Sequence, residues 1–430
     1  MPLLSRSPAY SRVTAIAGQR PLHEAFRWLH LHDLQMMRWQ AELVAIPAPP
    51  FGEAQRSLWM ATKFREAGLG SVGIDGVGNV FGKLLESESN DDLPVVLLSA
   101  HLDTVFPAET PLDPVVIEDR IEAPGACDNA AGVIGMLAVA HALLESQVQL
   151  AAQVIVCGNV GEEGEGDLRG VRHIYQRAPW AGRVAAHIVL DGAGAETAVT
   201  QALGSRRYRV EIFGPGGHSF TDAGTPNPIL VLGLALTELA RVPMPASPDE
   251  PRATMNVGTI QGGTSVNTIP ESAAAAVEFR STDVQQLVRL EVGLHRVVED
   301  AVEAANAAAQ ATVQGKDRPD RRLSFSIDKI GDRPAAGLPG DSPLLESLRA
   351  VDRHLRLRTD LRLGSTDANI PLSLGVPAVS LGAGGDGGGA HTRAEWYSAA
   401  NRELGLRRVL LLTLAMVEWA AHRNLSAAAQ

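Results

Sequence analysis

The period of the apolar positions changes twice along this chain of 430 residues. Residues 21–46 place apolar side chains at helical spacing and run into IPAPPFGE, where Pro47, Pro49 and Pro50 break the helix. Residues 54–68 predict a second helix, with Gly68 as its stop. Short β-rich apolar runs then alternate with helical stretches. VGNVFGKLL, LPVVLLSAH, QVIVCGNVG and AAHIVLDG predict strands, and residues 129–146 and 167–178 predict helices. Several of these strands are apolar on both faces, the mark of a mostly parallel sheet covered by helices.

From about residue 204 the rhythm is different. RRYRVEIFG alternates as a strand, PNPILVLGLALTELARV predicts a helix, and RATMNVGTIQGG and SAAAAVEFRS predict two more strands. A long Ala-rich helix over 283–311 and the strand RLSFSIDKI complete a βαββαβ order, the ferredoxin-like arrangement. GDRPAAGLPGD predicts a linker, after which helices at 342–355, around 367–374 and at 402–423, with strand VPAVSLGAG, resume the α/β rhythm. The expected fold class is therefore α/β, a mostly parallel sheet flanked by helices with an inserted α+β domain. The expected boundaries are 1–203 with 332–430 for the first domain and 204–331 for the insertion; whether residues 1–20 are ordered is left open.

Composition narrows the function. The chain is 45% hydrophobic and 20% charged, as a folded protein should be, and its formal net charge of −11 argues against a nucleic-acid partner. No apolar run reaches the roughly 18 residues of a membrane span, and the first twenty residues lack the apolar core of a secretion signal. Cys127 and Cys157 are too few for a disulfide framework, so a reducing, cytoplasmic setting is expected. Each lies beside a polar motif, which raises thiolate ligation as a question against the simpler reading of a small buried side chain.

Five motifs carry candidate chemistry: SAHLDTVFP, GACDNAAGV, NVGEEGEG, IVLDGAG and GGAHTRAEW. They supply His101, Asp103, Asp128, Glu162, Glu163, Asp191 and His391, two imidazoles and five carboxylates. That set suits a pair of divalent metals such as zinc, with one carboxylate to spare as a general base. His101 and Asp103 fall on one side of extended backbone, so the aspartate is able to hold the other ring nitrogen of a ligating histidine. Asp128, ahead of an apolar helix, is either an N-cap or a carboxylate bridging two metals. Glu162 and Glu163, adjacent at a strand end, point in different directions, so one is free to ligate while the other faces a substrate. Taken singly each motif has a bland alternative. Together they all end or follow predicted strands of one sheet, the edge where open α/β sheets bind ligands.

The series, in this order and with the insertion, resembles the co-catalytic zinc exopeptidase/deacylase family that includes peptidase T, glutamate carboxypeptidase, acetylornithine deacetylase and succinyl-diaminopimelate desuccinylase. The resemblance runs from about residue 38 onward. It implies a zinc-exopeptidase-type fold with a lid domain, and two divalent metals, zinc foremost with cobalt or manganese as substitutes. His101 and Asp191 would hold one metal, Glu163 and His391 the other, with Asp128 bridging. Asp103 would orient His101, and Glu162 would be the general base. GPGGHSF implies His218 as an oxyanion-stabilising group, and GGTSVNTIP and VEFRS imply Asn267 and Arg280 as substrate contacts. GSTDANIPLSLGVPAVSLGAGG resembles the family's last substrate-contacting stretch, and a homodimer through the lid is implied. One departure stands out: the family's bridging aspartate is commonly followed by another Asp or by Lys/Arg-Gly, and here Asn129-Ala130-Ala131-Gly132 follows, which bears on the substrate subclass.

The leading expectation is a metallo-exopeptidase acting on short peptides, peptidase T-like or carboxypeptidase-like. An N-acyl-amino-acid amidohydrolase or deacetylase would use the same site. A non-catalytic metal- or peptide-binding relative would lack a ligand or the base, and none is missing. A serine hydrolase is disfavoured because no G-x-S-x-G elbow occurs, and a zinc deaminase because the two cysteines stand far apart.

Overall fold

The computed structural model describes residues 7–85, 92–245, 247, 250–312 and 321–428. The chain divides into two compact units, one of 1–202 with 337–430 and one of 203–336.

The first unit is organised by a sheet of nine strands among the described residues. Its centre is a parallel run in the order Gln153–Asn159, Val95–His101, Val184–Leu190 and Ala378–Leu381. The first two of these strands are buried at every position, as expected of strands covered on both faces. Val80–Lys83 extends the sheet antiparallel on one side, and Thr197–Ala202 pairs antiparallel with Ala378–Leu381 on the other. The helix Ala130–Glu145, buried along nearly its whole length, and the long helix Arg402–Ala428 pack on this sheet.

Three features differ from the pattern expected of the sequence. The helix expected over 21–46 is two helices, Arg20–Leu31 and Asp33–Val44, meeting at His32. There the imidazole stacks on Trp28, with ring centroids 4.2 Å apart, and its Nδ1 lies 2.8 Å from the Trp28 carbonyl, so the side chain competes for the backbone at the break. Pro8–Ala17, in the stretch whose order was left open, is a helix capped by the Ser7 hydroxyl, and it packs Ala9, Val13 and Ile16 against the helices Pro343–Leu355 and Arg402–Ala428. Residues 1–6 lie outside the described residues. Finally, Gly331–Arg333, expected in a linker, extend the strand Ser324–Arg333, because they continue its pairing with Ser205–Arg207.

The inserted unit has a core of its own. Its four-stranded antiparallel sheet runs Ala253–Gly262, Ser272–Ser281, Gly204–Phe213, Ser324–Arg333, the ferredoxin-like order. The helices Pro228–Leu239 and Val284–Thr312 cover it through Val231, Leu232, Leu287, Leu290 and Leu294, packed on Tyr208, Val210, Val277 and Phe279.

Candidate active site

Four adjacent parallel strands end on the same edge of the large sheet, and each delivers a polar group there. Val95–His101 ends in His101 and leads to Asp103; Gln153–Asn159 leads to Glu162 and Glu163; Val184–Leu190 leads to Asp191; Ala378–Leu381 leads into the loop of His391. Asp128 comes from the turn before helix Ala130–Glu145. His391 sits between the short strands Asp386–Gly388 and Trp396–Ser398, paired with each other and, through the second, with Arg120–Glu122. These three-residue strands are too short to carry a readable period in the sequence.

The two oxygens of Asp128 face opposite imidazoles. Oδ1 is 3.1 Å from His101 Nε2, and Oδ2 is 3.0 Å from His391 Nε2. Asp191 Oδ1 lies 3.9 Å from His101 Nε2, and Glu163 Oε1 lies 3.0 Å from His391 Nε2. The predicted groups are thus brought together as two clusters that share Asp128. The carboxylates of the clusters govern the protonation of the histidines. Burial opposes a charge on His101, but the carboxylates of Asp103, Asp128 and Asp191 beside it raise its pKa well above the usual histidine value. Asp128 and then Glu163 push His391 up to about 10. In turn, and against its burial, Asp128 is held well below the usual carboxylate range by the two imidazoles.

Asp103 does more than the orienting role expected of it. His101 Nδ1 is 3.1 Å from the Asp103 backbone carbonyl and 3.6 Å from its carboxylate. The carboxylate instead accepts the N–H groups of Glu162 (3.0 Å) and Glu163 (2.7 Å). One buried aspartate therefore fixes the imidazole through its backbone and the paired glutamates through its side chain.

Three further residues take structural roles around the site that sequence reasoning does not reveal. Glu395, 1% exposed, accepts the N–H of Gly125 (2.7 Å), Cys127 (2.8 Å) and Asp128 (2.7 Å), and so anchors the turn that presents Asp128. The available signal was its place four residues after His391, but a glutamate in a Gly-rich loop ordinarily faces water. Asn129, the first residue of the departure noted after Asp128, points inward: its Oδ1 accepts Gly132 N–H (3.1 Å) and Gly192 N–H (3.0 Å), and its Nδ2 donates to the Leu190 carbonyl (2.9 Å). It ties the helix start to the strand end that carries Asp191. A β-carbon at Gly132 would come within 2.5 Å of the Leu190 carbonyl, so this close approach needs glycine. Asp367, in the stretch likened to a substrate contact, is 1% exposed and accepts from Asn159 Nδ2 at 2.7 Å. Burial pushes its carboxyl up to about 7.

Neither cysteine joins the group of possible ligand atoms that His101, Asp128 and Glu163 form among the described residues. Both cysteines are buried and unpaired; burial pushes the Cys127 thiol up to about 12 and raises that of Cys157 well above its usual value. Neither is poised as a thiolate.

In the inserted unit His218 and Asn267 lie side by side. Gly217–His218 pairs with Thr268–Ile269, and the Asn267 carbonyl accepts Ser219 N–H at 3.0 Å. His218 Nδ1 accepts Phe220 N–H at 3.2 Å, so Nε2 is the ring nitrogen that carries a proton and can donate. Arg280 pairs with another residue, Glu278. It lies on the strand Ser272–Ser281, with its guanidinium held by Glu278 at 2.8 and 2.9 Å, and Glu278 is shared with Arg207.

The donor set fits hard-to-borderline divalent cations. His101, Asp128 and Glu163 offer ligand atoms that all lie within 4.8 Å of one another. Asp128 Oδ1 is buried between the clusters with His101 Nε2 3.1 Å away but outside hydrogen-bonding geometry, which leaves a lone pair of the kind a cation fills. Mixed imidazole and carboxylate ligation suits zinc, cobalt or manganese.

A mostly parallel α/β sheet that gathers carboxylates and imidazoles at its C-terminal edge defines a metal-site hydrolase architecture. The profile of peptidase family M20/M25/M40 matches residues 97–415, and the chain belongs to that family. Among known proteins, a probable carboxypeptidase of Aspergillus fumigatus is 27% identical over 265 residues, 57% of this chain and 56% of that protein. Little more than half the length of that relative is therefore spanned. The uncharacterized protein YqjE of Bacillus subtilis is 24% identical over 82% of this chain and 91% of its own. Among solved structures, the aminopeptidase PepT of Bacillus cereus superposes with a TM-score of 0.67 at 18% identity, covering 90% of this chain and 99% of that one. That likeness extends to the fold.

Proposed function

We propose that this protein is a dinuclear metal-dependent exopeptidase that hydrolyses the amide bond of short peptides. The observation that carries the reading is Asp128, whose two oxygens each face a different imidazole. His101 and Asp191 would hold one ion and Glu163 and His391 the other, with Asp128 between them. When bound, the ions would supply Lewis acidity to the amide carbonyl and acidity to the attacking water. The chain supplies the proton transfers. Glu162, its backbone pinned by Asp103, takes the proton of the attacking water and returns it to the departing amine. His218, with its Nε2–H free to donate, is the oxyanion partner in this reading, and Asn267 and Arg280 take the substrate's carboxylate or carbonyl.

A second copy of the chain is the proposed partner of the inserted unit, which in this reading acts as a lid and dimerisation domain. Its strand Ala253–Gly262 is an exposed sheet edge, with Ile260 59% exposed, and the nearby helix Pro228–Leu239 leaves Leu230 and Leu234 outside. Among the described residues no helix is long and apolar enough to cross a membrane, and the buried free thiols are in keeping with a reducing, cytoplasmic setting.

The test is hydrolysis by protein reconstituted with zinc, cobalt or manganese, against di- and tripeptides and acetylated amino acids. The wild type should cleave peptides. Glu162→Gln should lose about 10²–10⁴-fold in turnover while keeping its metal. Near-normal turnover in that variant contradicts the base assignment, and cleavage of acetylated amino acids alone favours the amidohydrolase alternative.

A further inference from the structure

The turn Pro49–Gly52 exposes an aromatic ring that the proton transfers leave without a task. Phe51 is 69% exposed and has φ of +70°, a region that costs a non-glycine residue about 1 kcal/mol or more. The ring is nevertheless held in place. It lies on the Arg169 guanidinium, 4.7 Å from that group's central carbon. Arg169 is itself fixed: Nη2 is 2.6 Å from both oxygens of the buried Glu53 carboxylate, and Nη1 donates to the Val77 carbonyl at 2.9 Å.

This platform is bound on both sides to the loops of the candidate active site. The Arg169 stem packs under Gly161, where a β-carbon would lie 2.6 Å from it, and Gly161 immediately precedes Glu162. At the other end of the turn, the Ala48 carbonyl accepts Thr104 N–H at 2.9 Å, one residue past Asp103. Arg56, fully buried, donates to the carbonyls of Ile46 and Leu102, both at 2.9 Å, and so joins the start of the turn to the residue after His101. The same short segment is thus tied to Leu102–Thr104 and to Gly161–Glu163, with Phe51 at its tip. Glu53 takes the charge of Arg169, so the stack presents an apolar ring face rather than a free cation.

We infer that Phe51 is a wall of the substrate site and a specificity-determining residue, selecting an apolar group carried next to the scissile amide. That group is a side chain in a peptide or the acyl chain of an N-acyl amino acid, and the inference rests on the hydrolase reading above. The backbone strain is in keeping with this role, since the ring is kept 69% exposed at positive φ rather than buried in the core.

The experiment compares kcat/KM for matched substrates on the metal-reconstituted full chain. Peptides carrying Leu, Phe or Ser at each residue flanking the scissile bond form one series; N-acetyl and N-hexanoyl alanine form the other. Three proteins are compared: wild type, Phe51→Gly, which suits positive φ, and Phe51→Tyr, which keeps the ring. Phe51→Gly should lower the preference for the apolar member over the small one by about ten-fold or more, with metal content and Tm unchanged. Phe51→Tyr should retain the preference. The series in which the preference collapses identifies whether peptide or acyl chain is the ligand. An unchanged preference in Phe51→Gly, or an equal loss for all substrates, overturns the inference. A wild type that cleaves neither series overturns the hydrolase reading on which it rests.

Discussion

His101 and His391 present the same atom to the same carboxylate, yet the two are built differently. His101 is 1% exposed, at the end of a strand flanked by parallel neighbours. His391 has a side chain 55% exposed and φ of +64°, in a Gly-rich loop between two three-residue strands. The sheet and the buried Asp103 hold the first imidazole. The second meets Asp128 and the buried Glu163 at its Nε2, but its loop rests on the small sheet and on Glu395, which ties the end of that loop to the turn of Asp128. One half of the site is therefore a product of the core, and the other is assembled at the surface from hydrogen bonds to one buried carboxylate.

The largest difference between the halves should appear without metal. His101→Ala removes a buried imidazole from among Asp103, Asp128 and Asp191 and should cost the metal-free protein about 3–5 kcal/mol. His391→Ala should cost less, about 1 kcal/mol, since the imidazole it removes is itself half exposed. Urea denaturation of the metal-free variants measures both, and equal losses would break the distinction. A smaller effect is expected at the link between the halves. Glu395→Ala strands three buried N–H groups and should lower stability by about 2 kcal/mol or more and metal affinity by about 10–100-fold. Unchanged metal affinity would show that the turn of Asp128 holds itself.

The same contrast explains what could be read from the sequence. His101 and Asp191 close apolar runs, LPVVLLSAH and IVLD, and burial on both faces of a strand leaves a pattern that is visible locally. The alternating strands and long helices of the inserted unit were legible for the same reason. Glu395 was not, because its partners are backbone N–H groups some 270 residues away, and backbone groups carry no sequence label. The role of Asn129 was not legible either: its amide serves Gly132, Gly192 and Leu190, a three-way tie that only the folded chain brings together. The platform of Phe51 was hidden likewise, since Glu53 and Arg169 lie far apart in sequence. Long-range polar ties to backbone and between distant side chains were the missing part; the apolar periodicity was the legible part.

The central claim is that Asp128 joins two metal positions. The most direct measurement is metal bound per chain, by elemental analysis after dialysis against limiting zinc, for wild type and Asp128→Ala. The wild type should bind two ions per chain, about the number its two clusters can hold, and Asp128→Ala should fall clearly below that. Retention of two ions per chain in Asp128→Ala would contradict the bridging role and, with it, the account of the site.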